Sequence, residues 1–324
     1  MKRSAIVGLT LLLGVLTSAS SSSAQTGEIR TVPLVALSST GRVDLGLTVR
    51  NVSLKSHDVT VRRFALDTSP RRILLLLDMS GSMGEPVGSK HITVWNYTKH
   101  LAEDFLKTVF RQDSVALDIF ADKERQVVPF THDFTSIRDA IDGLPRPRGE
   151  TFAGDALQAA LRDFGTTAGF GDSVVFFSDG QFQGDDHSRM SLESVTADAS
   201  SYGVRVFLIF PMITRFDSPT PVLVRDMEDR IELVEATGGF SFAPKEVPDD
   251  WAAWKIIRSD PFQRIAALSN AIHGTYRLEL QFAKPIRKKQ NLQVEIIDDK
   301  GKNMRNIYGL YPHGVYPAVD SRRP

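Results

Sequence analysis

The sequence contains no cysteine in 324 residues. That excludes a thiolate zinc site, a disulfide framework, a cysteine nucleophile and a lipid-modified N-terminal cysteine. Stability must therefore come from the packed core. Neither sign of charge is in excess, because Lys+Arg and Asp+Glu are both 39. Nucleic acid and anionic membrane surfaces call for a basic excess or patch, so no nucleic-acid partner is expected. The sequence carries no P-loop, no Gly-x-Ser-x-Gly elbow and no histidines at ligand spacing. The apolar run at residues 5–16 falls short of the ~20 residues that a spanning helix needs.

What is present begins with that same run. Lys2 and Arg3 precede it, and small polar residues up to Ala24 follow it. This is the pattern of a secretory signal peptide cleaved after Ala24, the competing reading being an uncleaved anchor. The chain is thus expected to be exported, periplasmic or extracellular, with no transmembrane segment after signal removal.

Further along, Val43, Leu45, Leu47 and Val49 alternate with other residues, as do Val59 and Val61. Period-two alternation predicts strands with one wet face. At Ile73 the pattern becomes a continuous apolar run ending in Asp78. Such a run suits a strand covered on both faces, and residues 115–120, 174–177 and 204–210 repeat it. Between these lie helix-period segments at 95–110, 156–164 and 223–236. Strands alternating with helices imply a doubly wound α/β layer with a mostly parallel sheet. The segment 126–130 is expected to be an antiparallel edge. Pro261 opens a last helix whose apolar stripe is Phe262, Ile265, Leu268 and Ile272. Two strands, 276–282 and 292–297, follow it. The organisation expected is a signal peptide at 1–24, an N-terminal β segment at 25–69, the α/β domain at 70–273, and a C-terminal β segment at 274–324. The two β segments are expected to pack together as one small all-β domain.

The chemistry concentrates at Asp78-Met79-Ser80-Gly81-Ser82, directly after the most apolar strand. Ligands of open α/β sheets bind where the chain leaves the carboxyl ends of strands. This turn offers a carboxylate and two hydroxyls, hard oxygen donors that suit Mg²⁺, Mn²⁺ or Ca²⁺. Alone, the string reads more readily as a polar turn with serine caps. Thr151, in the loop before a helix, and Asp179, at the end of the strand 174–177, belong to the same sheet edge.

These three segments resemble the metal-ion-dependent adhesion site of von Willebrand factor type A (VWA) domains. Asp78, Ser80 and Ser82 match its first motif, Thr151 its threonine and Asp179 its final aspartate. The chain is also similar to bacterial exported VWA-related proteins, with residues 41–64 and 276–280 fitting the flanking β segments. The resemblance implies a Rossmann-like VWA domain holding a divalent cation, Mg²⁺ above Mn²⁺ or Ca²⁺. It implies a protein partner that presents an Asp or Glu to that ion, and no enzymatic activity. A metal-independent structural subunit and a metal-dependent hydrolase are the alternatives. For the latter, Asp185-Asp186-His187 is the cluster nearest in sequence, though a solvated loop explains it as well. Displacement of the last helix would pull on the strand that begins at Tyr276, since no long linker separates them.

Overall fold

The computed structural model describes residues 27–38, 40–86, 93–179, 190–210, 233–242 and 261–317, with only the backbone at 242 and 261–264. The signal segment, the cluster Asp185 to His187 and most of the helix expected at 223–236 lie outside them.

The sequence builds a six-stranded sheet in the order β6-β5-β4-β7-β8-β9. Its strands are β4 (Arg72–Asp78), β5 (Ser114–Phe120), β6 (Glu124–Thr131), β7 (Ser173–Phe177), β8 (Arg205–Ile209) and β9 (Ser241–Phe242). β4 runs parallel to both neighbours, with Leu75 opposite Leu117 on one side and Val175 on the other. Among the described strands of this sheet, only β6 is antiparallel, at the edge beside β5.

The continuous apolar run explains the place of β4. Ile73 to Leu77 are all fully buried, alternately on two faces. Ile73, Leu75 and Leu77 join a core with helices α1 (Val94–Leu106), α2 (Phe134–Asp142) and the last helix of the chain. Leu74 and Leu76 join a second core with α3 (Ala153–Asp163) and α4 (Leu192–Tyr202). Each such side chain removed from water contributes roughly 1.5–3 kcal/mol. Local signals start and stop the helices. Thr93 accepts from Asn96 N–H at the start of α1, and Asp133 accepts from Thr135 and Ser136 N–H at the start of α2. Gly203 ends α4 at φ 76°.

A four-stranded antiparallel sheet stands beside this layer, in the order β13-β1-β10-β3. It comprises β1 (Ile29–Ser38), β3 (Val59–Leu66), β10 (Tyr276–Phe282) and β13 (Ile307–Leu310). Two short pairs complete the region, β2 (Val52–Leu54) with β12 (Val294–Ile296), and β11 (Gln290–Asn291) with β14 (Gly314–Val315). β1 serves both layers. Leu34 and Ala36 face the core of the antiparallel sheet, while Val35 and Leu37 face the helical core of the α/β layer.

The alternating segment at 43–49 is not a strand. After the turn at Gly41, only Val43 makes a bridge, to Leu37. Asp44 Oδ1 accepts from Gly46 N–H at 2.9 Å, closing a local turn. Tyr276 Oη accepts from Leu47 N–H at 3.0 Å and donates to Asp44 O at 3.1 Å. A side chain thus satisfies the groups that a ladder would have paired. Leu45 and Val49 are left 58% and 50% exposed.

The last helix, α5 (Pro261–His273), is held by more than its apolar stripe. Ser269 Oγ donates to Thr108 O at 3.1 Å and Asn270 Nδ2 to Gly41 O at 3.0 Å. The buried Arg205 guanidinium donates to Ala271 O and Ile272 O at 3.0 and 3.1 Å, capping the helix end. His273 Nε2 lies 2.7 Å from Asp113 Oδ2. Where the chain crosses between the layers, Asp67 N–H donates to Thr275 O at 2.9 Å.

Candidate metal centre

At the carboxyl edge of the sheet, β4 and β7 end side by side in Asp78 and in Ser178-Asp179. Asp78 is fully buried, and Asp179 nearly so. Asp78 Oδ1 accepts from Ser80 N–H at 2.8 Å, and Oδ2 accepts from the Ser178 hydroxyl at 2.6 Å. Burial first, and then the Asp179 carboxylate, push the Asp78 carboxyl up to about 7, against the pull of these hydrogen bonds. Ser80 is buried, and its Oγ lies 3.2 Å from Ser82 Oγ.

Thr151 reaches this edge because its loop is stapled there. Arg148 N–H donates to Met79 O at 2.8 Å, and Gly81 N–H donates to Gly149 O at 2.9 Å. Glu150 N–H donates to Asp122 Oδ1 at 2.5 Å, and Phe152 N–H to Ala121 O at 3.3 Å. Gly149 takes φ +98°, and a Cβ on it would stand 2.7 Å from Asp122 Oδ1. The turn after β4, the turn after β5 and the loop before α3 are thereby laced together, with Thr151 buried among them. Two buried carboxylates that repel each other, beside neutral hydroxyls, form a donor set that suits a hard divalent cation.

Residues 73–181 match the family model of the von Willebrand factor type A domain. Within the α/β layer, residues 73–181 thus belong to the VWA family. No curated protein matches the chain. Among solved structures, the chain is similar to BatB from Bacteroides thetaiotaomicron at 20% identity and a TM-score of 0.36. That likeness covers 43% of this chain and 65% of that one, less than two thirds of its length. An aerotolerance-related membrane protein from Bacteroides fragilis is 18% identical, with a TM-score of 0.45, over 62% of this chain and 98% of that one. A VWA protein from Catenulispora acidiphila is 13% identical, with a TM-score of 0.44, over 93% and 76%.

Two features of this VWA edge escape a motif reading. Ser178 looks like the polar end of an apolar strand, yet its hydroxyl is the direct partner of Asp78. Asp122 follows β5 without any motif, and its carboxylate positions the Glu150 amide beside Thr151. Among the described residues, no helix is long and apolar enough to cross a membrane.

Proposed function

We propose that the chain is an exported protein-binding module whose VWA domain holds a divalent cation at Asp78, Ser80, Ser82, Thr151 and Asp179. Mg²⁺ is the ion assigned, with Mn²⁺ and Ca²⁺ as substitutes. The observation that carries this reading is the buried pair Asp78 and Asp179 at the ends of adjacent strands. Two carboxylates roughly neutralise a divalent ion, and the hydroxyls of Ser80, Ser82 and Thr151 add no charge. When bound, the ion supplies a Lewis-acidic position for one further anion, an Asp or Glu side chain of a partner protein. Ser178 and the Ser80 N–H hold the Asp78 carboxylate in one orientation, so that the site stays preorganised. The β segments at 25–69 and 274–324 form the companion domain in this reading, with residues 1–24 as the export signal. The envelope or the exterior is then the working compartment. The module acts by binding, and no residue is assigned a catalytic role.

Calorimetry tests it directly. Mg²⁺ should bind with one-to-one stoichiometry, and an acidic peptide should bind only after Mg²⁺. Asp179→Ala should abolish both heats. Mg²⁺ binding that survives Asp179→Ala would sink the site assignment. Partner capture that persists in EDTA would favour the metal-independent structural subunit.

A further inference from the structure

Asp118 lies in β5, opposite Gln126 of β6, and is fully buried. Among the described residues, neither of its carboxylate oxygens meets a donor group, although the Asp163 carboxyl is close enough to share a proton with it. Carboxylate oxygens of Asp118, of Glu124 at the start of β6 and of Asp163 at the end of α3 all lie within 4.8 Å of one another. Glu124 Oε1 and Asp163 Oδ2 are also buried without a partner. Among the described residues, none of the three carboxylates is in an ion pair. Arg162 offsets part of the repulsion at Glu124, but it is itself exposed.

This grouping is built by the backbone. The β5–β6 ladder slips twice near Asp118, between Val115 and Leu117 and again between Leu117 and Asp118. The neighbours Val127 and Val128 both pack on the α1–α2 side, which strict alternation forbids. Beyond that bulge, Asp118 faces Gln126 and Phe120 faces Glu124. Without the second slip, Asp118 would oppose Val127, and the even-numbered residues of β6 would leave its face. The irregularity brings a second carboxylate to a buried one, an arrangement that costs several kcal/mol if both are ionised and unpaired.

A counter-charge removes that cost. A single proton can bridge Asp118 and Asp163, but it leaves the remaining charge of that pair repelling Glu124. A cation would satisfy all three. Three carboxylates on separate elements supply hard oxygens without a fixed octahedral frame, which suits the flexible shell of Ca²⁺ better than the strict geometry of Mg²⁺. Glu124 and Asp163 are only partly buried, so the group lies near the surface. We propose that Asp118, Glu124 and Asp163 form a second divalent-cation site, suited to Ca²⁺, which clamps the edge strand β6 and the end of α3 onto β5. Burial, followed by Asp163 and then Glu124, raises the Asp118 carboxyl above the usual carboxylate range. Thr151 precedes the start of α3 and Asp163 ends it, about 16 Å apart along the axis, so this site is separate from the first.

The test is calorimetry and thermal unfolding with Ca²⁺ alone, on the full chain carrying Asp179→Ala to silence the first site. One equivalent of Ca²⁺ should bind, and Tm should rise with its concentration. Adding Glu124→Gln or Asp163→Asn should weaken binding by at least about tenfold and remove the rise in Tm. Glu124→Gln, a partly exposed change at an edge, keeps the test valid if Asp163→Asn fails to fold. Failure of the Asp78 reading would leave these results intact, because that site is disabled throughout. Absence of Ca²⁺ binding at millimolar concentration overturns the proposal, as does affinity unchanged by Glu124→Gln in a folded protein.

Discussion

Tyr276→Phe isolates the contribution of one hydroxyl to the unpaired segment at 44–48. The ring would keep its stack on Phe64, with centroids 4.6 Å apart, so packing is unchanged. What is lost is the acceptor for Leu47 N–H and the donor to Asp44 O. Each such bond contributes about 0.5–1.5 kcal/mol net. Residues 44 and 47 are half-buried, so water partly replaces the hydroxyl, and the full penalty for a dry orphan does not apply. The expected loss is about 1–2 kcal/mol, read as a lower urea midpoint with an unchanged m-value. Hydrogen exchange gives the local signature. The Leu47 amide should exchange about tenfold faster or more, since 1.4 kcal/mol corresponds to a factor of ten. The β1 amides should change only as global stability does. If Leu47 stays protected and the midpoint does not move, the hydroxyl is not what holds this segment.

Other outcomes follow from the same structure. Burial opposes ionisation of Asp113, but hydrogen bonds from His273 and from the Arg71 and Phe110 amides outweigh it and hold the carboxyl low. Its stabilising contribution is therefore full above about pH 4 and is lost as pH falls through the folded value. His273→Leu should move the acid-unfolding midpoint, followed by circular dichroism, to higher pH. Leu75→Ala, at a fully buried position in the middle of β4, should cost about 3–5 kcal/mol in urea denaturation. Gly149→Ala should cost only about 1–2 kcal/mol in stability, from its positive φ. Calorimetry should show it weakening Mg²⁺ by at least about tenfold, because the Asp122 contact displaces the Thr151 loop.

The parts of the fold that were readable in advance are those where burial alone decides. Ile73 to Leu77 have no polar face to offer solvent, so only the middle of a two-sided layer accommodates them. The carboxyl-edge position of Asp78 and Asp179 follows, because both end such strands. Alternation was a weaker guide. Val43 to Val49 has the period of a strand, but a period names no pairing partner, and Tyr276 took the backbone groups instead. Val52–Leu54 became a strand because Val294–Ile296 lay alongside it, which no local pattern announces. Asp118 was invisible for another reason. One acid in an apolar run looks like a solvated position until the bulge in β6 and the end of α3 place two more beside it.

The antiparallel sheet also imposes an order in time. Ile29 pairs with Gln281, and Ser38 with Ile307, so the first strand of the described chain waits for the last ones. Closing so long a loop costs on the order of 5 kcal/mol in chain entropy before any contact forms. A folded VWA domain removes most of that cost, since its entry and exit meet where the Asp67 amide bonds Thr275 O. Loop entropy therefore favours folding of the VWA domain before closure of the sheet. Until the sheet closes, β1 is an apolar strand with both edges open, and this interval is when a newly made chain is most prone to pair with another copy.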